Sequence, residues 1–180
     1  MLYPITIILS ILLGFAIAAI ATLLMKKSKA QSSVEYINPP DLSEPVGYSH
    51  ITTASLTHAK IVCIAGQASL DKNKKNTVVG ENDIAEQARN SYRNLGIALA
   101  AAGATPKNVL RSNIYTTAST ENDISSIVEA REHFFKECKS APPGALLGVP
   151  FLALPGLLVE VDAEAVVQES ERSNTTIAIW

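Results

Sequence analysis

The residues best placed to do chemistry are three carboxylates inside one apolar run. Between Val159 and Ala165 the apolar Val159, Val161, Ala163 and Ala165 alternate with Glu160, Asp162 and Glu164. Successive side chains on a strand point to opposite faces, so this alternation predicts a half-buried strand with all three acids on one side. Chemistry allows two roles for them. They form a solvated face, the usual place for charge on such a strand, or Glu160 lines a cleft and handles protons. His50 and His58 sit in or beside an early hairpin without a third ligand at metal spacing, which reads as surface or hydrogen-bonded histidine. Cys63 and Cys138 lack metal spacing and indicate no disulfide framework. The sequence has no phosphate loop and no dinucleotide fingerprint, and its serines have no base that sequence can locate.

The elements that must position these groups follow from periodicity. Ile51 to Ser55 and Lys60 to Ala65 read as two strands joined by a turn at residues 56–59. Ile84, Ala88, Tyr92, Leu95 and Leu99 repeat at helical spacing, with Asn82 or Asp83 to cap the start and Gly103 to end it. Val109 to Thr117 reads as one strand, and Thr120 with Asp123 as the capping pair of a second helix through Ile124, Ile127, Phe134 and Phe135. Two further strands, 145–149 and 157–167, are expected to lie side by side, separated by a loop with Pro150, Pro155 and Gly156. The order is ββαβαββ, an α+β fold with both helices on one face of a mixed sheet.

With 180 residues, 47% hydrophobic, and net charge −2, the chain holds one cored domain plus extra segments and has no bias toward nucleic acid. Leu2 to Leu24 carries no charge, and a helix of that length would rise roughly 34 Å, enough to cross a bilayer. Lys26, Lys27 and Lys29 follow, so the positive-inside rule predicts a single-pass membrane anchor with the domain in the cytosol. The competing reading is a cleaved signal, with small residues Ala19 and Ala21, and a secreted or lumenal domain. Only then would the sequon at Asn174 matter. The expected division is an anchor with its basic flank over 1–30, a polar, proline-containing linker over 31–45, a folded domain over 46–168 and a tail over 169–180.

Four motifs carry a resemblance: Tyr48-Ser49, Gly66-Gln67, Glu86-Gln87-Ala88 through Gly103, and Leu154-Pro155 through Glu160-Val161-Asp162-Ala163. In this order and spacing the chain resembles the Rid family of reactive intermediate deaminases, also called YjgF or RutC-like, with the older name L-PSP endoribonuclease. The resemblance spans about Val46 to Val167. It implies a chorismate-mutase-like fold and a homotrimer whose three inter-subunit clefts bind a small molecule and, in active members, hydrolyse imines and enamines such as 2-iminobutanoate or 2-aminoacrylate. It implies no metal or organic cofactor.

Carried over position by position, the family tyrosine falls on Tyr48 and the water-handling glutamate on Glu160. The arginine that grips the substrate carboxylate falls on Gly144 or Ala145, and neither side chain can do so. A small polar residue falls on Ala65 and an asparagine on Val128, so the cleft is more apolar than the family's. Arg111 and Arg131 are the candidates to replace the arginine, and restoring it as Gly144→Arg is expected to raise imino-acid turnover. Three functions stay open. One is a diverged enzyme hydrolysing or tautomerising an imine, enamine or related intermediate, with ordinary 2-imino acid turnover impaired. Another is a non-catalytic binding or scaffold trimer on a membrane. The third, a ribonuclease, fits poorly with the absence of a basic stripe.

Overall fold

Two long strands define the dry face of the sheet. In β7 (Val159–Gln168) Val159, Val161, Ala163 and Ala165 are buried, while Glu160, Asp162 and Glu164 lie on the opposite side. β3 (Ala59–Ala68) runs antiparallel to it and buries Val62 and Ile64 against the same core. The computed structural model describes residues 34–168. Its other strands are β1 (Val34–Ile37), β2 (Ile51–Ser55), β4 (Val109–Arg111), β5 (Ile114–Thr116) and β6 (Leu146–Gly148). They form a seven-stranded sheet in the order β1-β2-β3-β7-β5-β6, with β4 also pairing β7. The β5–β6 pair is parallel and the others antiparallel, so the sheet is mixed as expected.

Three details differ from the sequence reading. Val34–Ile37, inside the stretch read as a linker, pairs with β2 as an edge strand. The single strand expected over Val109 to Thr117 is broken at Ser112 and Asn113, where Asn113 turns its side chain to Asp162, and the register on β7 shifts just before the break, between Val109 and Arg111. The last two strands are not neighbours: β5 lies between them, and the loop with Pro150 and Pro155 carries the chain across it.

α1 (Ile84–Ala101) starts where the Asp83 side chain accepts from the Glu86 backbone N–H at 2.8 Å. It stops in a Schellman arrangement, with Gly103 N–H bonded to Ala100 O and Ala104 N–H to Leu99 O. Its buried stripe, Ala88, Tyr92, Leu95 and Leu99, sits on β3 and β7. Full burial of each large apolar side chain there contributes about 1.5–3 kcal/mol. α2 (Glu121–Phe135) opens with the Thr120–Asp123 capping box and packs Ile127, Ala130 and Phe135 into the same core. Both helices therefore share the dry face.

The expectation of a transmembrane helix, and with it a membrane-anchored location and a scaffold on a membrane, is corrected. Among the described residues no helix is long and apolar enough to cross a membrane. The longest, α1, has 18 residues and carries Glu86, Arg89 and Arg93. The predicted span 2–24 and the sequon at Asn174 lie outside the described residues.

Leu95→Ala should lower stability by about 2–5 kcal/mol, because the side chain is fully buried against rigid sheet. Urea unfolding of the full chain checks this.

Candidate functional site

The long β3–β7 pair carries an irregularity. On β3 the register to β7 jumps between Ile64 (opposite Ala163) and Gln67 (opposite Val161), a β-bulge that places Ala65 and Gly66 against a single step of β7. Glu160 lies beside this bulge, paired with Ala68 on one side and Tyr115 on the other. A Cβ on residue 66 would overlap the Glu160 carboxyl group. Glycine there is a matter of room: the carboxyl folds over the bare Cα.

The bulge is fastened to the loop in front of it by a chain of buried polar groups. His50 is 3% and Gln67 2% exposed. The Gln67 amide nitrogen donates to Ala65 O (3.0 Å) and reaches His50 Nδ1 (3.2 Å), while His50 Nε2 lies 2.8 Å from Ser43 O. Carbonyl oxygens only accept. His50 Nε2 therefore holds the proton toward Ser43, the Gln67 nitrogen end faces Ala65, and His50 Nδ1 accepts, which fixes the tautomer. The result ties Ser43 of the loop to the bulge at Ala65.

A third tie comes from α1. Buried Gln87 donates to Gly80 O and Gly156 O and accepts from Leu158 N–H, and Asn94 donates to Ala68 O at 2.8 Å. Helix, bulge and the turn before β7 are thus held in one frame.

These pieces enclose a cleft of about 380 Å³. Leu42 and Val46 of the front loop form one wall, Leu154 and Leu157 another, and Glu160 with Gly66 the floor. Tyr48 stands half-exposed at the rim, edge-on to the His50 ring at 5.5 Å. Burial raises the Glu160 carboxyl above the ordinary glutamate value, and the Asp162 carboxylate two residues on adds to it. Burial, then Glu160, also raises the Tyr48 phenol. Asp162 is itself engaged, accepting from Tyr115 Oη and from Asn113 N and Nδ2 at 2.9–3.0 Å. Glu160 accepts no hydrogen bond among the described residues, so it is the acid left free to meet a ligand.

Of the residues singled out from sequence, Tyr48, Ala65 and Glu160 line this cleft in one chain. Val128 is exposed on α2, and Gly144 and Ala145 precede β6; none of them reaches the cleft of the same chain. Gly144 is crowded: a Cβ there would overlap the Ser112 carbonyl, part of the backbone. Gly144→Arg therefore requires the backbone at Ser112 to move. Arg131 donates to Pro142 O and lies over the Phe135 ring at 5.6 Å, and Arg111 Nε donates to Asn113 Oδ1 at 3.3 Å. Neither arginine lines the cleft. Among the described residues no three His, Cys, Asp or Glu side chains converge on a metal position.

Sequence reasoning missed the His50–Gln67 pair and the loop that forms the front wall. A signal existed for the bulge. The buried positions of β3 run 62, 64, then 67, and an isolated glycine inside a strand pattern marks such a break.

The profile of the family described as Endoribonuclease L-PSP matches residues 42–167. The chain is similar to YyfA of Yersinia pestis, a protein of unknown function of the conserved Rid protein family. Identity is 25% and the TM-score 0.65, over 75% of this chain and 100% of that one. A member of the highly conserved YjgF/YER057c/UK114 family from Mycobacterium tuberculosis is 30% identical, with a TM-score of 0.57 over 75% of this chain and 100% of that one. TdcF of E. coli, solved with bound serine, shares the fold at 23% identity and a TM-score of 0.62, over 74% of this chain and 98% of that one. None of the curated proteins matches the sequence.

Two outcomes are expected at the cleft. Gly66→Ala meets the end of a flexible side chain, so it should cost within about 1 kcal/mol and swing the Glu160 carboxyl outward, whereas Gly144→Ala meets backbone and should cost about 1–3 kcal/mol. Urea unfolding distinguishes the two. Glu160→Gln should reveal the strain of the buried charge. With the folded carboxyl raised above its unfolded value, wild-type stability declines as pH rises through the interval between the two values. The glutamine variant should therefore match wild type at about pH 3 and exceed it at pH 7.

Proposed function

The chain belongs to the endoribonuclease L-PSP family, the Rid/YjgF group, and from that membership we propose that its cleft hydrolyses a small imine or enamine lacking a free carboxylate. A deaminase-like or binding role toward small molecules is what the family supports. The observation that carries the finer reading is the lining of the cleft: among the described residues Glu160 accepts no hydrogen bond there and no lining residue is Lys or Arg. A substrate carboxylate would be desolvated there without a partner, at a cost of several kcal/mol. The same absence of basic groups disfavours RNA.

In the proposed reaction a water molecule lies between the Glu160 carboxylate and the C=N carbon of a protonated imine. As the water oxygen bonds to carbon, Glu160 takes one of its protons, and the C=N π pair moves to nitrogen to give a carbinolamine. Glu160 then returns the proton to nitrogen. The C–N bond breaks with its electrons going to ammonia, the hydroxyl becomes a carbonyl, and its proton leaves on ammonia as ammonium. Water is consumed, and one carbonyl and one ammonium are formed. A carboxyl whose proton affinity is raised toward neutrality serves such a shuttle better than an ordinary one. Tyr48 shapes the rim. We further propose that three copies assemble, with Val128 and Ala145 of a neighbouring copy completing the cleft. Exposed Val128, Leu146 and Leu147 support an assembled face.

Ammonia release by the full chain tests this. The substrates are butan-2-imine, freshly formed from sec-butylamine by an amine oxidase, and 2-iminobutanoate. Release should favour butan-2-imine, fall about 10²–10⁴-fold in Glu160→Gln, and decline as pH drops through the raised value of Glu160. No Glu160-dependent release from folded protein would favour the non-catalytic binding role. A preference for 2-iminobutanoate would contradict the missing carboxylate grip.

A further inference from the structure

We infer that the cleft selects ligands bearing a positive, nitrogen-centred head on an apolar body, and rejects anions of the same shape. This rests on reading the cleft as the ligand site, but not on turnover.

The titratable side chains of its lining are Glu44, Tyr48, His50 and Glu160. Two are acids. Both ring nitrogens of His50 are occupied, by Ser43 O and the Gln67 amide. Gln67 has committed its amide nitrogen to Ala65 and His50, so its carbonyl oxygen is the polar atom that remains. Ser43, Asn76 and the Tyr48 hydroxyl can donate as well as accept but carry no positive charge, so among the described residues the charged positions open to a ligand are the carboxyl groups of Glu44 and Glu160. Nearby basic groups do not reverse this sign. Lys72 and Arg93 line an adjoining groove that shares Leu70 and Asn94 with the cleft, and Lys72 is paired there with Asp41 at 3.0 Å.

Geometry adds a second element. The Tyr48 ring stands half-exposed, steeply inclined to the His50 ring, on the same cleft as the Glu160 carboxyl. A cation entering past the ring meets an aromatic surface first and a carboxylate below, a pairing that attracts ammonium and iminium groups. Leu42, Leu154 and Leu157 receive the apolar body. The volume, about 380 Å³, is at the small end for ligand sites.

Three six-carbon probes with equal tails and no C=N bond isolate the charge: n-hexylammonium, 1-hexanol and hexanoate, titrated at pH 7 into the full-length protein and followed by calorimetry or NMR shifts. Hexylammonium should bind about tenfold tighter than hexanol, with hexanoate weakest. Glu160→Gln should erase the gap between hexylammonium and hexanol while hexanol binding stays. Tyr48→Leu, a change at a half-exposed rim residue, should weaken hexylammonium alone by about two- to fivefold. Hexanoate binding as tightly as hexylammonium overturns the inference. So does an ammonium preference that survives in both variants, or failure of all three probes to bind. Because none of the probes can be hydrolysed, an inactive protein that prefers hexylammonium would refute the proposed reaction and leave the ligand class standing.

Discussion

The Glu160 carboxyl occupies the space that a side chain on residue 66 would fill. That steric constraint organises the cleft. For the carboxyl to lie as it does, residue 66 must have a bare Cα and the bulge must stay where it is, and the arrangement keeps the carboxyl close to the sheet, where water solvates it poorly. Each requirement is met by a named contact. Gln67 and His50 hold Ala65 to the loop at Ser43, and Asn94 holds Ala68 to the helix. Gln87 fixes the turn from which β7 emerges. His50, Gln67, Gln87 and Asn94 are buried along this frame and each has a partner, and such networks specify one arrangement where an apolar core alone would tolerate several.

The two neighbouring acids of β7 divide the labour. Asp162 is tied by Tyr115 and Asn113, so its negative charge is fixed in place. The hydrogen bond to Asp162, followed by burial, raises the Tyr115 phenol. Glu160 has no such partners and takes the full effect of burial and of its neighbour's charge. Two carboxylates one pleat apart thus differ in availability, because one sits among donors and the other among apolar walls.

Much of this was legible in the sequence. Strong periodicity located α1, the capping box located α2, and the alternation from Val159 to Ala165 put the three acids on one face. The motifs around Tyr48 and Glu160 led to the family and to two residues of the cleft. What escaped has common physical causes. Strand order depends on long-range pairing, so the placement of β5 between β6 and β7 left no local trace. The histidine at position 50 reads as ordinary until its two carbonyl-fixed neighbours are seen. The crowding at Gly144 comes from the backbone of Ser112, some thirty residues away in sequence, so the demand it makes on any side chain there left no local trace. The apolar segment over residues 2–24 matched a membrane span by hydropathy alone, whereas the described fold contains no helix that meets the same test.

The most direct measurement is a pH titration of the Glu160 side-chain carboxyl by carbon-13 NMR in the full chain, assigned by difference with Glu160→Gln. A free, desolvated carboxyl in an anionic cleft should titrate above the ordinary glutamate range, and saturating hexylammonium should bring its midpoint back down. An ordinary midpoint that the ammonium ligand leaves unmoved would contradict the assignment of Glu160 as the proton-handling group of the site.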